Sequence, residues 1–210
     1  MQIPNKFING DFYDKEYFEN GPYDINYGTQ LDRFPQELIE IVSAVFDIND
    51  KTILDVGCAK GQYVRAMLKH SDNVRGFDFS DYCMNHLETD EYRIKKMTAL
   101  EIWNYPDKEF EFIYCADLLE HIPTNTIKFV LDELNRVCKM GAEAYINIGL
   151  GDMEEHLNNH SMDKWREFFK KSGWDVDIDK TELLKEEKKK HELFKGCVWC
   201  MLAIKKRRNI

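Results

Sequence analysis

The chain has 210 residues, 43% of them hydrophobic, which is enough to form one sizeable core in a single domain. No apolar run approaches the roughly 18 residues of a membrane span, and residues 1–10 lack the pattern of a signal peptide, so we expect a cytoplasmic protein with no membrane partner. The formal net charge of −9 argues against nucleic acid as a substrate, since phosphate neutralisation dominates that binding.

Cysteines and basic residues suggest no further site. The six cysteines are scattered through apolar segments, as is typical of buried thiols in a reducing compartment. Cys197 and Cys200 have the spacing of half a metal site, but no second pair or histidine cluster matches them, so no metal site is predicted. The basic clusters at 188–190 and 205–208 indicate solvated surface, with an RNA or membrane patch as the alternative. The sequence does not indicate an oligomeric state.

Residues 1–34 are rich in aromatic residues, glycine and asparagine, and are too aromatic for a disordered tail. A helix is predicted to begin at Phe34 and Pro35, because proline suits the first helical position. Apolar residues between 38 and 46 then lie on one face of this helix.

The stretch from Lys51 to Leu68 predicts a strand, a tight glycine loop and a helix. Residues 52–56 are β-branched or aliphatic, Gly57 and Gly61 interrupt them, and apolar residues at helical spacing follow. Such a loop after the first parallel strand suits a nucleotide-like ligand, because glycines let the backbone approach it and the helix N-terminus offers N–H groups. A simple turn is the alternative.

The spacing within this loop argues against a dinucleotide. Ala59 and Gln62 occupy the second and third glycine positions of the G-x-G-x-x-G pattern. Asp55 precedes Gly57 and would repel a pyrophosphate, whereas it suits a ligand with an ammonium group. Asp78 follows a second predicted strand, at about the offset where an acid accepts hydrogen bonds from a ribose.

Three further strands are predicted, at residues 94–99, 109–117 and 141–149. The second of these is nearly continuous in apolar residues, as expected for a strand buried on both faces. A helix that begins at Thr124 or Asn125 precedes the last one, and Met140 and Gly141 are predicted to end that helix.

The C-terminal part of the chain is more polar. A loop over 151–161 precedes an amphipathic helix over 162–171, for which Ser161 is the expected N-cap. The charged stretch 178–195 is interpreted as an extension of a sixth strand and a loop, and residues 197–205 as an antiparallel last strand. The elements together predict an α/β fold with a doubly wound, seven-stranded, mostly parallel sheet.

The loop D-V-G-C-A-K-G over residues 55–61 resembles the first motif, D-x-G-x-G-x-G, of the class I S-adenosylmethionine-dependent methyltransferases. The resemblance covers roughly residues 35–205. It implies a Rossmann-like methyltransferase fold, an enzyme, S-adenosylmethionine as cofactor and S-adenosylhomocysteine as its product. It also implies a lid segment at residues 1–34, with aromatic residues facing the cofactor, and a methyltransferase domain at 35–210. Aromatic packing on the sheet edge is the alternative for the lid segment.

The resemblance also assigns a cofactor site. Asp55 would order the loop and help to hold the cofactor's amino group, and Asp78 would hold the ribose. Thr98 would face the adenine, and Asp117 would border the methionine moiety. The complete set of expected cofactor-binding residues is Asp55, Gly57, Cys58, Ala59, Gly61, Asp78, Phe79, Thr98, Ala99, Asp117 and Leu118.

The acceptor side is marked by histidines. The string Leu119-Glu-His121 looks like the "LEH" segment of small-molecule methyltransferases. His121, together with His156 in the polar loop, is a candidate catalytic base, since the unperturbed pKa of histidine lies near neutrality. The alternative is that His121 only orients the loops.

The expected reaction is O-methylation of a small molecule or of a sugar or glycan precursor. No Asn-Pro-Pro-Tyr-like motif follows the fourth strand, and this motif is the commonest sign of amino-nitrogen methylation. The order of polar residues after the fifth strand resembles methyltransferases of sugars and cell-surface glycans. A tRNA or protein methyltransferase, or a non-catalytic partner subunit with the same fold, is the alternative.

Overall fold

The computed structural model describes residues 10, 12–20, 33–151, 153–194 and 199–207. The strands in these ranges are β1 Ile53–Val56, β2 Val74–Asp78, β3 Ile94–Lys96, β4 Phe110–Ala116, β5 Cys138–Gly149, β6 Trp174–Val176 and β7 Trp199–Lys206. They form one seven-stranded sheet in the order β3-β2-β1-β4-β5-β7-β6. Strands β1 to β5 pair in parallel, and β7 lies antiparallel between β5 and β6. The predicted sheet, with its antiparallel last strand, is confirmed.

Helices cover both faces of this sheet. Those in the described ranges are α1 Lys15–Asn20, α2 Arg33–Val45, α3 Gln62–Met67, α4 Asp81–Met84, α5 Ile127–Val137, α6 Met162–Lys171 and α7 Ile178–Lys189. None of them is long and apolar enough to cross a membrane.

The side chains of β1 alternate between the two faces of the sheet, and each face carries one hydrophobic core. Leu54 and Val56 pack with Leu131 of α5 on one face of the sheet. Ile53 packs with Val42 of α2 on the other face. Successive side chains of a strand point to opposite faces, so a short apolar run is buried on both sides.

The boundary between α5 and β5 differs from the prediction. Helix α5 ends at Val137 and β5 begins at Cys138, before the predicted stop at Met140 and Gly141. The register between β4 and β5 shifts here, because Cys138 pairs with Phe110 whereas Glu143 pairs with Phe112. Gly141 has φ 76 within the irregular part of the strand. The glycine therefore marks a β-bulge and not the end of the helix.

The prediction for residues 178–195 is wrong, because most of this stretch is helix α7. Asp177 is its N-cap and accepts a hydrogen bond from Lys180 N at 3.0 Å. Thr181 and Leu184 are its buried residues. The rest of the helix carries charged side chains in i,i+3 ion pairs, such as Lys185 with Glu182. So narrow an apolar face gives little helical periodicity in the sequence.

Gly61 is required by the turn that starts α3. It has φ 84, and a Cβ at this position would lie 2.6 Å from Thr89 Cγ2. Replacement by alanine therefore meets both a strained backbone and a close contact.

We expect Gly61→Ala to lower the free energy of unfolding by about 1–2 kcal/mol, the cost of a left-handed conformation for a residue with a Cβ. Urea denaturation followed by circular dichroism measures this change. Gly151→Ala is the matched control, because the nearest atom to its added Cβ is Met153 Cγ at 3.7 Å. Equal loss of stability in the two variants would show that the turn before α3 does not require a glycine at position 61.

Candidate functional site

A cavity lies at the carboxyl ends of β1, β2 and β4. Its empty space is about 990 Å³, including the solvent at its open mouth. Every predicted cofactor-binding residue except Gly61 lines it, namely Asp55, Gly57, Cys58, Ala59, Asp78, Phe79, Thr98, Ala99, Asp117 and Leu118. Their common location is a structural fact, whereas their contacts with a cofactor stay a prediction.

The loop after β1 is held close to its neighbours. Gly57 has φ 77, and a Cβ at this position would lie 3.1 Å from Leu118 Cδ1. The backbone N–H groups of Gly57 and Cys58 both donate to Phe77 O, at 3.0 and 2.9 Å. A glycine is therefore needed here for the backbone conformation and for the approach of Leu118.

Asp55 is a buried acid, and one of its carboxylate oxygens has no donor among the described residues. It is 1% exposed, and its Oδ2 has no hydrogen-bond partner among the described residues. Burial and the nearby charge of Asp78 raise the pKa of the Asp55 carboxyl well above its ordinary value. An unsatisfied buried oxygen is costly, so a ligand that donates a hydrogen bond here would be stabilised.

Asp78 connects the glycine loop to the end of β2. Its Oδ2 accepts from Ala59 N and its Oδ1 from Ser80 N, both at 2.9 Å. Burial raises the pKa of the Asp78 carboxyl, and these backbone hydrogen bonds oppose the shift. Each carboxylate oxygen can accept more than one hydrogen bond, so Asp78 retains capacity for two hydroxyl donors. Ala59, which replaces the middle glycine of the motif, has φ 47 and still donates to Asp78.

The segment after β3 forms another wall of the cavity. Strand β3 ends at Lys96, earlier than predicted, so Thr98 and Ala99 lie on the following loop. Thr98 Oγ1 accepts from Leu100 N at 3.2 Å. Leu100 also lines the cavity and was not identified from the sequence.

Asp117 lies just past the end of β4 with φ 50, an uncommon conformation for a residue other than glycine. Asn147 Nδ2 donates to Asp117 Oδ1 at 2.8 Å. Asp117 is exposed at the open cavity, yet desolvation by the surrounding protein raises the pKa of its carboxyl to about 6, against the effect of Asn147. Asn147 was missed, although a polar residue in the apolar run of β5 was a usable signal.

Part of the lid segment packs over the cavity. Tyr13, Tyr17 and Phe18 line it, and the rings of Tyr13 and Phe79 lie 5.4 Å apart. Ser80 Oγ donates to Tyr13 O at 2.6 Å and also accepts from Cys83 N as the N-cap of α4. Residues 1–9, 11 and 21–32 of the predicted lid segment lie outside the described residues. Closure of the lid segment stays a prediction.

The two candidate bases are neighbours. His121 lies in a 3₁₀ turn and lines the cavity, and its ring centroid is 5.1 Å from that of His156. Burial and the proximity of His156 lower the pKa of His121 to about 4, against the hydrogen bond to Glu155 O. His121 is therefore neutral at pH 7.

Glu120 lies beside these histidines and was not among the predicted site residues. It is 1% exposed, and its Oε1 accepts from Gly149 N at 2.5 Å. Burial and the charge of Asp117 raise the pKa of Glu120 well above its ordinary value. No motif identified the remaining lining residues, which are Gln62, Tyr63, Tyr114, Ala116, Ile122 and Pro123.

The fold and the cavity define an open α/β protein that binds its ligand beyond the carboxyl ends of its strands. A family comparison identifies it further, because the methyltransferase domain family matches residues 27–177, more than half of the chain. The chain belongs to the methyltransferase domain family.

Two curated relatives match parts of the chain. The ubiquinone biosynthesis O-methyltransferase of Coxiella burnetii is 32% identical over 90 residues, which are 40% of this chain and 38% of that protein. The tRNA U34 carboxymethyltransferase of Nautilia profundicola is 27% identical over 151 residues, which are 67% of this chain and 48% of that protein. The chain thus spans less than half the length of either relative.

A solved structure shows the same fold over nearly the whole chain. It is the Haemonchus contortus phospholethanolamine N-methyltransferase 2, in complex with phosphomonomethylethanolamine and S-adenosylhomocysteine. The TM-score is 0.66 at 18% sequence identity, and the match covers 95% of this chain and 60% of that chain.

The Ser80 contacts predict how firmly the described part of the lid segment is attached. We expect Ser80→Ala to raise the rate of tryptic cleavage after Lys15 about fivefold, since a lost hydrogen bond costs about 1 kcal/mol. Mass spectrometry of the fragment that begins at Glu16 gives this rate.

Ser161→Ala is the matched control, since Ser161 caps α6 and accepts from Lys164 N. It should leave cleavage at Lys15 unchanged. Cleavage of both serine variants at the wild-type rate would show that Ser80 does not hold the lid segment in place.

Proposed function

We propose that the protein is an S-adenosylmethionine-dependent methyltransferase that acts on an oxygen atom of a small molecule or of a sugar or glycan precursor. The observation that carries this proposal is the acidic glycine-loop cavity, in which Asp55 Oδ2 lacks a partner among the described residues and Asp78 lies beside it. Membership of the methyltransferase domain family supports the reaction type.

The cavity residues fit the proposed cofactor. Asp78 would accept hydrogen bonds from the two ribose hydroxyls, and Thr98 and Ala99 would border the adenine. Asp55 and Asp117 would favour the positively charged methionine end, because opposite charges attract strongly in a partly desolvated site. The cofactor supplies, when bound, a methyl group on a sulfonium leaving group.

The protein's own residues would then position the acceptor and handle its proton. A carbon–oxygen bond forms as the carbon–sulfur bond breaks, and the acceptor hydroxyl loses a proton. Leu118, Ile122 and the lid-segment aromatics would exclude water and hold the acceptor oxygen in line with the methyl carbon. His121 can accept a proton at Nε2, since its Nδ1–H donates to Glu155 O at 3.2 Å.

The small-molecule acceptor is supported by two further observations. The Coxiella burnetii relative is named for O-methylation in ubiquinone biosynthesis. The acceptor side of the cavity is lined by apolar and aromatic residues such as Phe18, Leu118 and Ile122, which suit a flat, weakly polar acceptor.

A tRNA acceptor is the second candidate, favoured by the match to a tRNA U34 carboxymethyltransferase. The net charge of −9 opposes it. Strong binding of unmodified tRNA that weakens steeply with salt would favour this candidate over a small molecule.

The first prediction from the proposed function concerns the cofactor. Asp78→Asn should weaken binding of S-adenosylhomocysteine at least about tenfold, because a hydrogen bond to a charged group contributes about 1.5–3 kcal/mol and about 1.4 kcal/mol is tenfold in affinity. Isothermal titration calorimetry measures the change.

Asp81→Asn is the matched control, because Asp81 lies three residues further on and forms an exposed ion pair with Lys96. The affinity of this variant for S-adenosylhomocysteine should remain within about twofold of wild type. Unchanged affinity of Asp78→Asn for S-adenosylhomocysteine would show that Asp78 does not bind the cofactor.

The second prediction concerns catalysis. His121→Gln should lower kcat for methyl transfer to a hydroxylated aromatic acceptor by about 10²- to 10⁴-fold, since a positioned base contributes this much. Affinity for S-adenosylhomocysteine should stay within about threefold, because only transition-state stabilisation is lost.

Transfer of a labelled methyl group from S-adenosylmethionine gives the rate. His70→Gln is the control, since His70 is a surface residue whose ring bonds Asn49 at 3.3 Å. Equal turnover in His121→Gln and His70→Gln would rule out a role for His121 in proton removal.

A further inference from the structure

Three side chains at the edge of the cavity form a group that the proposed reaction leaves partly unused. Glu120 and His121 come from the 3₁₀ turn after β4, and His156 comes from the loop after β5. One potential ligand atom from each of the three lies within 4.8 Å of the other two. Two imidazoles and a carboxylate are a common donor set for a divalent metal ion.

Both histidine rings are held in the same tautomer. His121 Nδ1 lies 3.2 Å from Glu155 O, and His156 Nδ1 lies 2.7 Å from Gly151 O. A carbonyl oxygen only accepts, so each Nδ1 carries a hydrogen, and Nε2 is the ring atom that could bind a metal ion. Metal-binding histidines almost always donate their second ring N–H to an oxygen in this way.

The carboxylate is held in a corresponding manner. Glu120 is 1% exposed, its Oε1 accepts from Gly149 N at 2.5 Å, and its Oε2 has no partner among the described residues. Gly149 also leaves room for the group, since a Cβ there would lie 2.7 Å from Glu120 Oε1 and 3.0 Å from His156 Cε1. A buried oxygen of this kind is costly without a ligand, and a cation would satisfy it.

We propose that Glu120, His121 and His156 bind a divalent first-row transition-metal ion of the zinc type at the edge of the cavity. Ligand atoms about 2.0–2.2 Å from a tetrahedral zinc ion are about 3.3–3.6 Å apart, so a pair of ligand atoms as wide as 4.8 Å must approach by about 1.2–1.5 Å when the ion binds. Mg²⁺ fits less well, because it prefers oxygen ligands in octahedral geometry.

Three protein ligands leave a coordination position for another oxygen. His121 belongs both to the group and to the cavity wall, so this position is beside the space expected for the acceptor. With the ion bound, Nε2 of His121 would be a ligand and could not accept the proton, so the ion would replace His121 as the activating group by polarising the acceptor hydroxyl and making its proton easier to lose. This role rests on the proposed function, whereas binding of the ion rests only on the three side chains.

The test is a titration of tag-free protein, stripped with a chelator, with Co²⁺ followed by its visible ligand-field absorption, and with Zn²⁺ followed by calorimetry. One ion per chain should bind. Glu120→Gln and His156→Ala should each weaken binding at least about tenfold, since even loss of an outer partner of a metal ligand costs about 10- to 100-fold. His70→Ala should bind as wild type does, and excess Mg²⁺ should not displace Co²⁺.

No binding of Co²⁺ or Zn²⁺ to wild type would overturn the proposal. So would wild-type affinity in both ligand variants, or displacement of Co²⁺ by Mg²⁺. Glu120→Gln keeps the shape and the Oε1 acceptor, so it remains informative if His156→Ala does not fold. Titration of the same proteins with S-adenosylhomocysteine separates the two proposals, since failure of cofactor binding beside normal metal binding counts only against the methyltransferase function.

Discussion

The carboxylate of Asp78 is the interaction on which the candidate site depends. It accepts one N–H group from the glycine loop, at Ala59, and one from Ser80 at the start of α4. Ser80 in turn donates to Tyr13 O in the lid segment. Asp78 and Ser80 together thus connect the glycine loop, the start of α4 and the lid segment. Residues of the glycine loop, the end of β2 and the lid segment line the same cavity.

Three carboxyl side chains line the same partly desolvated cavity. Desolvation raises the pKa of Asp55, Asp78 and Asp117, and each carboxylate is therefore less stable ionised than it would be in water. A ligand with hydroxyl donors and a positively charged end would relieve this cost. Burial also raises the pKa of Glu120, and a bound cation would favour the ionised form of its carboxyl group.

The sequence predicted the sheet well because its signals are local. Apolar runs just before Gly57, Asp78 and Asp117 identified three parallel strands, and the carboxyl ends of such strands meet at one edge. The helix α7 was missed because its burial depends on a narrow face at Thr181 and Leu184. The bulge near Gly141 was missed because register depends on the partner strand, which a single segment does not reveal.

The sequence grouped some of the residues that line the cavity and missed others. Residues in the loop after β1 share a short motif, so their common location followed from the chain itself. Gly61 belongs to that motif, yet its position is explained by backbone conformation and by Thr89. Asn147 was missed because its contact with Asp117 arises between neighbouring strands. Its polarity inside an apolar run was the available signal.

We propose that the acidic glycine-loop cavity binds S-adenosylmethionine and not a dinucleotide. Equilibrium dialysis of wild-type protein with labelled S-adenosylmethionine, in the presence and absence of excess NAD⁺, measures this most directly. The proposed site predicts saturable binding of one S-adenosylmethionine per chain that S-adenosylhomocysteine displaces and NAD⁺ does not. Absence of saturable binding, or displacement by NAD⁺, would contradict it.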